Sequence, residues 1–490
     1  MTPTPRETVD GHEPAADQLE ERVLCVDLDG TLITSDLLWE SLLSVARERP
    51  WILFASPFWL VRGRPYLKRR LAEACEIDFA TLPYRTETLA FLHEEHSRGR
   101  TLVLATASHE VLAAGVSRHL GIFGETLATS GETNMKGRVK AHALVGRFGR
   151  RNFDYLGDSR ADIHCWSEAR DAITVGVAPT GEVAHLRRLS VEARSPDWAN
   201  RLRLLARALR PHQWLKNLLL AVPAVGAHQL GWSVLADLTL AFASLSLCAS
   251  GGYVLNDLLD LTADRRHPRK MTRPFASGRL SLPTGVLLVV LCWVLGFGIA
   301  VATLPVAYAA LMAVYLFATA AYSVRLKKEP VLDVMFLAGL YVLRVVGGGL
   351  AIGVPVSTWL LAFTLFICLS LAFLKRFIEV RAKSAVGVGR VPGRGYVAED
   401  AGWLQSAGLA SAYLSVLVLA LYVNNPDVMR LYARPERLLL VCPVILYGAT
   451  RVWLNAQRGE IHDDPMVAVA MDRVTYILGA MAAAVVFWSI

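Results

Sequence analysis

Two short stretches gather side chains suited to phosphate chemistry. In NDLLDLTADRRHPRKMTRP, residues 256–274, Asn256, Asp260 and Asp264 recur at every fourth position. On a helix that spacing makes one polar stripe, and Asp257 joins it through its i+3 relation to Asp260. The stretch follows an apolar run long enough to cross a membrane, where a carboxylate row is costly unless it binds cations or faces an aqueous pocket. Oxygen ligands suit Mg²⁺, which keeps waters and bridges to phosphates. Arg265, Arg266, His267, Arg269, Lys270 and Arg273 follow at once. Acids backed by bases predict a site for Mg²⁺ and a polyphosphate. The second stretch is CVDLDGT, residues 25–31, where Asp27 and Asp29 close an apolar run.

The elements that must position these groups differ in kind. RVLCVDLDGT reads as a buried parallel strand ending in carboxylates. GRTLVLATAS, residues 99–108, predicts a second strand ending at Thr106, and FDYLGDSRAD, residues 153–162, a third ending at Asp158. Strand ends on one side of an open α/β sheet are where ligands bind. Residues 36–98 are rich in Leu, Ala, Arg and Glu at helical spacing and predict an inserted helical cap. AITVGVAP predicts a last strand, followed by a charged helix running to Arg210. Its Leu202, Leu204, Leu205 and Leu209 alternate with arginines, which suits an amphipathic helix on a membrane surface or an ordinary linker.

At 490 residues the chain is too long for one ordinary core. The expected organisation is a disordered tip over 1–20, an α/β domain over 21–190, a linker over 191–214 and an all-α membrane domain over 215–490. Nine spans are expected, near 216–228, 235–255, 283–304, 306–323, 331–352, 357–374, 404–423, 438–455 and 469–489. The polar N-terminus has no signal-peptide pattern. The seven cysteines show no CxxC pairing, which excludes a disulfide framework and a zinc pattern. The net charge of +8 does not point to nucleic acid, because its placement follows the membrane. With the N-terminus inside, the inner loops hold most of the arginines and lysines, whereas the outer loops hold Arg430, Arg434 and Arg437. The α/β domain is therefore expected in the cytoplasm, on the inner face of the cell membrane.

The first half resembles the haloacid dehalogenase (HAD) superfamily of phosphohydrolases, in the order DxDGT, Thr, Lys, GDSxxD. The resemblance implies a Rossmann-like fold with Asp27 as nucleophile, forming an aspartyl-phosphate. It implies that Asp29 protonates the leaving oxygen and then activates water. Thr106 and Lys140 would hold the phosphoryl group, with Lys136 a rival for the lysine role. Asp27, Asp158 and Asp162, with Asp29 beside them, would form the Mg²⁺ site. Metal and lysine together neutralise a dianionic phosphate so that a carboxylate can approach it.

The second half resembles the UbiA superfamily of intramembrane transferases, closest to its branch that moves phosphoribose to polyprenyl phosphate. The resemblance rests on RPHQWLKN (210–217), NDLLDLTADRRHPRKMTRPFASG (256–278), YSVRLKKEPVLDV (322–334), YVLRVVGGG (341–349), FLKRFIEV (373–380), RGY (394–396) and HDDPMVAVAMDR (462–473). It implies phosphoribosyl pyrophosphate as donor and polyprenyl phosphate as acceptor. Aromatic prenyltransferases carry a second DxxxD motif, but here Asp333 stands almost alone. Asn256, Asp260 and Asp264 are thus assigned to Mg²⁺ and the leaving pyrophosphate. Asp257, Lys270, Arg273, Tyr322, Lys327, Asp333 and Arg344 are expected to contact substrate, with Asp333 or a phosphate as partner for Arg344. Lys216, Lys375 and Arg376 are weaker candidates, and Gly347, Gly348 and Gly349 fit close helix packing. The joined expectation is transfer followed by removal of the 5-phosphate. A prenyl diphosphate donor with an aromatic or lipid acceptor, beside a separate or regulatory HAD domain, is the alternative, and a lipid transporter is a third. A homo-oligomer is compatible with each.

Overall fold

The computed structural model describes residues 22–175, 186–188, 198–229, 231–384, 394–423, 432–461, 465, 468–469 and 472–489. The expected disordered tip and most of the HDDPMVAVAM segment lie outside these residues. The chain forms two compact units, Met1–Leu204 with Asp264–Pro283, and Leu205–Ala263 with Thr284–Ile490.

The first unit is built on a six-stranded sheet of order β3-β2-β1-β4-β5-β6. The strands are β1 Val23–Val26, β2 Leu102–His109, β3 Glu125–Thr129, β4 Phe153–Gly157, β5 Ala172–Thr174 and β6 Leu186–Arg188. Every pairing is parallel. Side chains alternate across the sheet. Leu24 and Val26 enter a core with Leu104 and Leu156, while Cys25 enters another with Val103, Phe153 and Tyr155. Both faces are thus covered, as parallel sheets require. Four helices fill the interval between β1 and β2: α1 Leu37–Glu48, α2 Ser56–Val61, α3 Arg64–Ala74 and α4 Thr86–Ser97. Then come α5 Glu110–Leu120, α6 Arg138–Phe148 and α7 Ile163–Glu168.

Two local expectations are corrected here. The strand expected to end at Thr106 runs on to His109, with an irregular register between Ala105 and His109. The charged segment expected to be helical begins as β6, whose Leu186–Arg188 pairs with Ala172–Thr174. Ladder hydrogen bonds to a sheet edge there outweigh local helix propensity. The helix itself, α8, spans Trp198–Leu209.

The loop after the acidic stretch folds as part of this first unit, and buries Phe275, Ala276 and Leu280. Gly278 has φ +69°, and a Cβ there would stand 1.9 Å from Thr34 Oγ1. Arg265 Nη2 meets Glu40 Oε1 of α1 at 2.6 Å, and both side chains are buried.

The second unit is all helical. Among the described residues, seven helices are long and apolar enough to cross a membrane: Trp232–Leu259, Leu282–Thr303, Val306–Val324, Leu332–Ile352, Thr358–Ala382, Ala398–Val423 and Pro435–Arg458. Two of the nine expected spans are shorter. The last is a helix over Arg473–Ser489. The first is a run of 3-10 turns, Pro211–Ala221, passing into a helix of five residues, Val222–Gly226. Gly348 lets that run approach: a Cβ there would lie 2.0 Å from Leu220 O. Close packing, rather than ligand contact, is what this glycine serves.

Candidate active sites

In the first unit, the C-terminal ends of β1, β2 and β4 converge. Asp27 follows β1, and its N–H donates to Leu156 O at 2.9 Å, which ties it to the neighbouring strand. Lys140, on the first turn of α6, is buried and donates to Asp27 Oδ1 at 2.7 Å and Tyr155 OH at 2.8 Å. Lys136, the rival, is exposed. Tyr155 OH donates to Asp162 Oδ1 at 2.8 Å, while Ser159 Oγ donates to Asp162 Oδ2 at 3.0 Å. Asp158 Oδ1 accepts from Thr31 Oγ1 at 3.3 Å. Gly30, at φ +84°, passes so close that a Cβ would stand 2.3 Å from Asp158 Oδ2. Thr106 is buried, and its Oγ1 accepts from Ser108 N–H at 3.0 Å.

Carboxylate oxygens of Asp27, Asp158 and Asp162 lie within 4.8 Å of one another. The Asp29 carboxylate lies outside that group. Its Oδ1 accepts from Leu37 N–H at 2.8 Å and its Oδ2 from Ser108 Oγ at 2.7 Å, so it is aimed at the start of α1. Burial raises Asp27 to about 6, against the pull of Lys140 and with added repulsion from Asp162. Burial raises Asp29 to about 7, with repulsion from Asp36. Asp158 is likewise pushed to about 7 by burial and then by Asp27 and Asp162. Burial disfavours the Lys140 ammonium, but Asp27 and Asp162 outweigh it and raise its pKa. Three crowded carboxylates beside one ammonium leave an excess of negative charge, which a divalent cation on oxygen ligands would relieve.

In the second unit, the helix Trp232–Leu259 ends at Leu259, with Asp260 as its cap at φ −98° and ψ 11°. The stripe expected on one continuous helix is therefore interrupted at Asp260. Asn256 Nδ2 donates to Asp260 Oδ2 at 3.0 Å. Lys327 Nζ, buried, donates to Asn256 Oδ1 at 3.0 Å and Asp260 Oδ1 at 2.6 Å. Arg394 Nη1 reaches Lys327 O at 3.3 Å and Tyr322 OH at 3.1 Å. Arg376 Nη2 donates to Tyr322 OH at 2.8 Å, and its Nε binds Asp333 Oδ2. Tyr396 OH completes Asp333 by donating to Oδ1 at 2.7 Å. One polar network thus runs from Asn256 to Asp333.

Other candidates are placed elsewhere. Asp257 takes both oxygens to Arg210 Nη2, at 2.6 and 2.8 Å. Arg344 does not pair with Asp333. It donates to Asn217 Oδ1 at 3.0 Å, Leu340 O at 2.5 Å and Tyr315 OH at 3.2 Å. Asp264 and Arg273 belong to the first unit, where Arg273 Nη1 meets Asp264 Oδ2 at 2.6 Å. Lys270 opens a 3-10 turn on the same loop.

The UbiA prenyltransferase family model matches residues 217–461, half of the chain. The chain belongs to the UbiA prenyltransferase family. A haloacid dehalogenase-like hydrolase model matches residues 24–167, so this UbiA-family chain carries a fused HAD-like domain. An uncharacterized protein, y4nM, of Sinorhizobium fredii is 36% identical over 465 residues, 94% of this chain and 89% of that protein. The nodulation protein NoeC of Azorhizobium caulinodans is 34% identical over 56% of this chain and 90% of its own length. The decaprenyl-phosphate phosphoribosyltransferase of Corynebacterium glutamicum is 35% identical over 187 residues, 37% of this chain and 56% of that protein. With its seven long apolar helices, the UbiA-family half makes this an integral membrane protein.

Sequence reasoning missed two members of the UbiA-family network, Arg394 and Tyr396, and held Arg376 only as a weaker candidate. All three lay in quoted motifs, but nothing in their spacing tied them to Tyr322 or Asp333. In the HAD-like domain it missed Lys68 of α3, whose Nζ donates to Ala107 O at 2.5 Å and Asn134 Oδ1 at 3.0 Å. Lys68 lines a small crevice with Leu38, Ser41, Leu71, Ser108, His109 and Leu112. Burial lowers its pKa, although Asp29 and Asp36 pull the other way.

Proposed function

We propose that the chain carries out two consecutive reactions on one lipid at the cytoplasmic face of the cell membrane. The UbiA-family half moves 5-phosphoribose from phosphoribosyl pyrophosphate to a polyprenyl phosphate. The HAD-like domain then removes the 5-phosphate, leaving polyprenyl phosphoryl ribose. The observation that carries the donor reading is the state of Asp333: Arg376 and Tyr396 occupy both its oxygens, so it serves an ion pair and not a second acidic motif. One acidic cluster, Asn256 and Asp260 with Lys327 against it, suits a single pyrophosphate leaving group. Likeness to a transferase named for decaprenyl phosphate and phosphoribose supports the same substrates.

Transfer is a substitution at the anomeric carbon. A lipid phosphate oxygen attacks, the bond to pyrophosphate breaks, and Lys327, held against Asn256 and Asp260, would offset the charge that develops on the leaving group. No strong protein base is required, because the phosphate monoester is already anionic. Mg²⁺ would be held by Asn256 and Asp260 in this half and by Asp27, Asp158 and Asp162 in the other, where it would offset phosphate charge. In the HAD-like domain, an Asp27 oxygen attacks phosphorus while Lys140 holds the nucleophile in place. Asp29, raised to about 7, keeps a proton near neutrality and gives it to the leaving ribose oxygen. As a carboxylate, Asp29 then takes a proton from the water that splits the aspartyl-phosphate.

A second reading keeps a prenyl diphosphate as donor, with an aromatic or lipid acceptor and a HAD-like domain of separate or regulatory purpose. It is favoured by the breadth of the family match, which spans 217–461 and names prenyl transfer. Mass spectrometry of lipid products separates the two. Purified protein receives Mg²⁺, polyprenyl phosphate and phosphoribosyl pyrophosphate, with wild type beside Asp27→Asn. Ribosyl lipid from wild type and its 5-phosphorylated form from the variant would support both steps. Phosphorylated lipid from both proteins would confine the proposal to transfer. No ribosyl lipid from either, alongside turnover of prenyl diphosphate, would establish the second reading instead.

A further inference from the structure

Between α1 and α3, the cap turns through PWILFASPFWLV, twelve residues without a charge. They fold as a 3-10 turn, Pro50–Ala55, and the short helix α2, and neither buries a residue. Trp51, Phe54, Phe58, Leu60 and Val61 are 62%, 83%, 74%, 52% and 88% exposed. Elsewhere among residues 22–175, large apolar side chains are exposed only singly, at Val111 and Val139. A contiguous apolar patch of this kind marks an interaction surface.

The rim of the patch is basic. Residues 49–72 contain five arginines and one lysine and no acid. Arg62 and Arg69 lie over the Tyr66 ring at 5.4 and 5.2 Å, and Arg70 over Trp59 at 5.4 Å. These stacks hold the guanidinium groups beside the apolar tip.

We propose that this tip docks on an anionic lipid surface, with its aromatic side chains among the headgroups and upper acyl chains. Apolar and aromatic residues ringed by arginine are the composition of an interfacial anchor. Glu73 pairs with Arg69 at 3.8 Å and Arg70 at 2.9 Å, and anionic headgroups complement the remaining positive charge of the rim at Arg49, Arg62 and Arg64. A membrane is within reach, because the first unit joins the helical unit at three chain crossings, after Leu204, before Asp264 and after Pro283. Helix α3 returns from the tip carrying Lys68 to Ala107 O, beside the Ser108 that holds Asp29. An anchored tip therefore ties the helix that carries Lys68 to the lipid surface. Docking itself does not depend on which phosphate ester the site cleaves.

The test uses the full chain in vesicles of phosphatidylcholine and phosphatidylglycerol. An environment-sensitive fluorescent amino acid replaces Phe54, and in a control protein replaces Val111. Docking predicts blue-shifted emission at Phe54, quenched by spin labels on shallow acyl positions, with no quenching at Val111. The shift should weaken when phosphatidylglycerol is omitted. Water-like, unquenched emission at Phe54 would overturn the proposal. So would emission that turns blue only as protein density in the vesicle rises, which would mark a contact between copies of the chain. Equal quenching at both positions would reflect dye partitioning and overturn it as well. A second measurement compares wild type with the double variant Phe54→Ser, Phe58→Ser. The variant should hydrolyse soluble p-nitrophenyl phosphate at the wild-type rate and lose the anionic-vesicle dependence of activity on a membrane-borne phosphate. Equal losses on both substrates would mean that the tip supports folding instead.

Discussion

Asp27, Asp29 and Asp158 each hold a proton at a pH where an ordinary carboxylate has lost it. Their folded pKa values lie above the unfolded ones, so the folded state binds more protons between about 4 and 7. The stability linked to them is fully present below the unfolded value and is lost as pH rises through the folded values. The thermal midpoint of the HAD-like domain, measured in chelator, is expected to fall across that window. Added Mg²⁺ should restore it most at the alkaline end. A midpoint independent of pH in chelator would show that the cluster is not strained. In the UbiA-family half, the two acids divide differently. Asp260→Asn is expected to raise the Mg²⁺ needed for half-maximal transfer. Asp333→Asn should leave that requirement unchanged and lower stability instead, because it removes one of the two carboxylates on the buried Arg376, with Glu379 Oε2 still at 2.5 Å from Nη1, a loss of roughly 2 kcal/mol. Mg²⁺ titration of transfer, beside thermal stability in detergent, checks both.

At the scale of elements, the start of α1 deserves its rigidity to two partners. Leu37 N–H holds Asp29, and one turn later Glu40 accepts from Ser35 Oγ at 2.5 Å and from Arg265 at 2.6 Å. Ser35 O in turn accepts from Gly30 N–H at 3.2 Å. Arg265 thus positions Asp29 through Glu40 without touching it. Arg265→Ala strands a buried carboxylate, at a cost of about 3 kcal/mol. It should also lower kcat for p-nitrophenyl phosphate and displace the acidic limb of the pH profile, with partial rescue in Arg265→Lys. Wild-type kcat and midpoint in Arg265→Ala would remove the link. The spacing of Glu40 on α1 places it on a buried face, but its partner lies 225 positions away, beyond any local pattern.

For the whole molecule, the loop Asp264–Pro283 makes the HAD-like unit discontinuous in sequence. Residues 22–204 alone would expose Thr34 where Gly278 sits and leave Glu40 without Arg265. Their phosphatase activity is expected to be lost at a lower temperature than that of the full chain, which inactivation curves on a soluble ester would show. Coincident curves would mean that the loop adds nothing.

The α/β half, its three converging strand ends and the long apolar helices were legible because each rests on local order: runs of β-branched residues before aspartates, and apolar stretches of bilayer length. Asp27, Lys140, Asp158 and Asp162 could be named from motif order, and the structure brings them together. What local order cannot encode is partnership at long range. The short ladder at Leu186–Arg188, the break at Asp260, and the choice of Arg376 for Asp333 and of Asn217 for Arg344 were decided by tertiary packing. A buried charge takes whichever complementary group the fold delivers within about 3 Å. The apolar cap tip lay in plain view in the sequence, yet only its exposure in the folded unit distinguishes an anchor from a core.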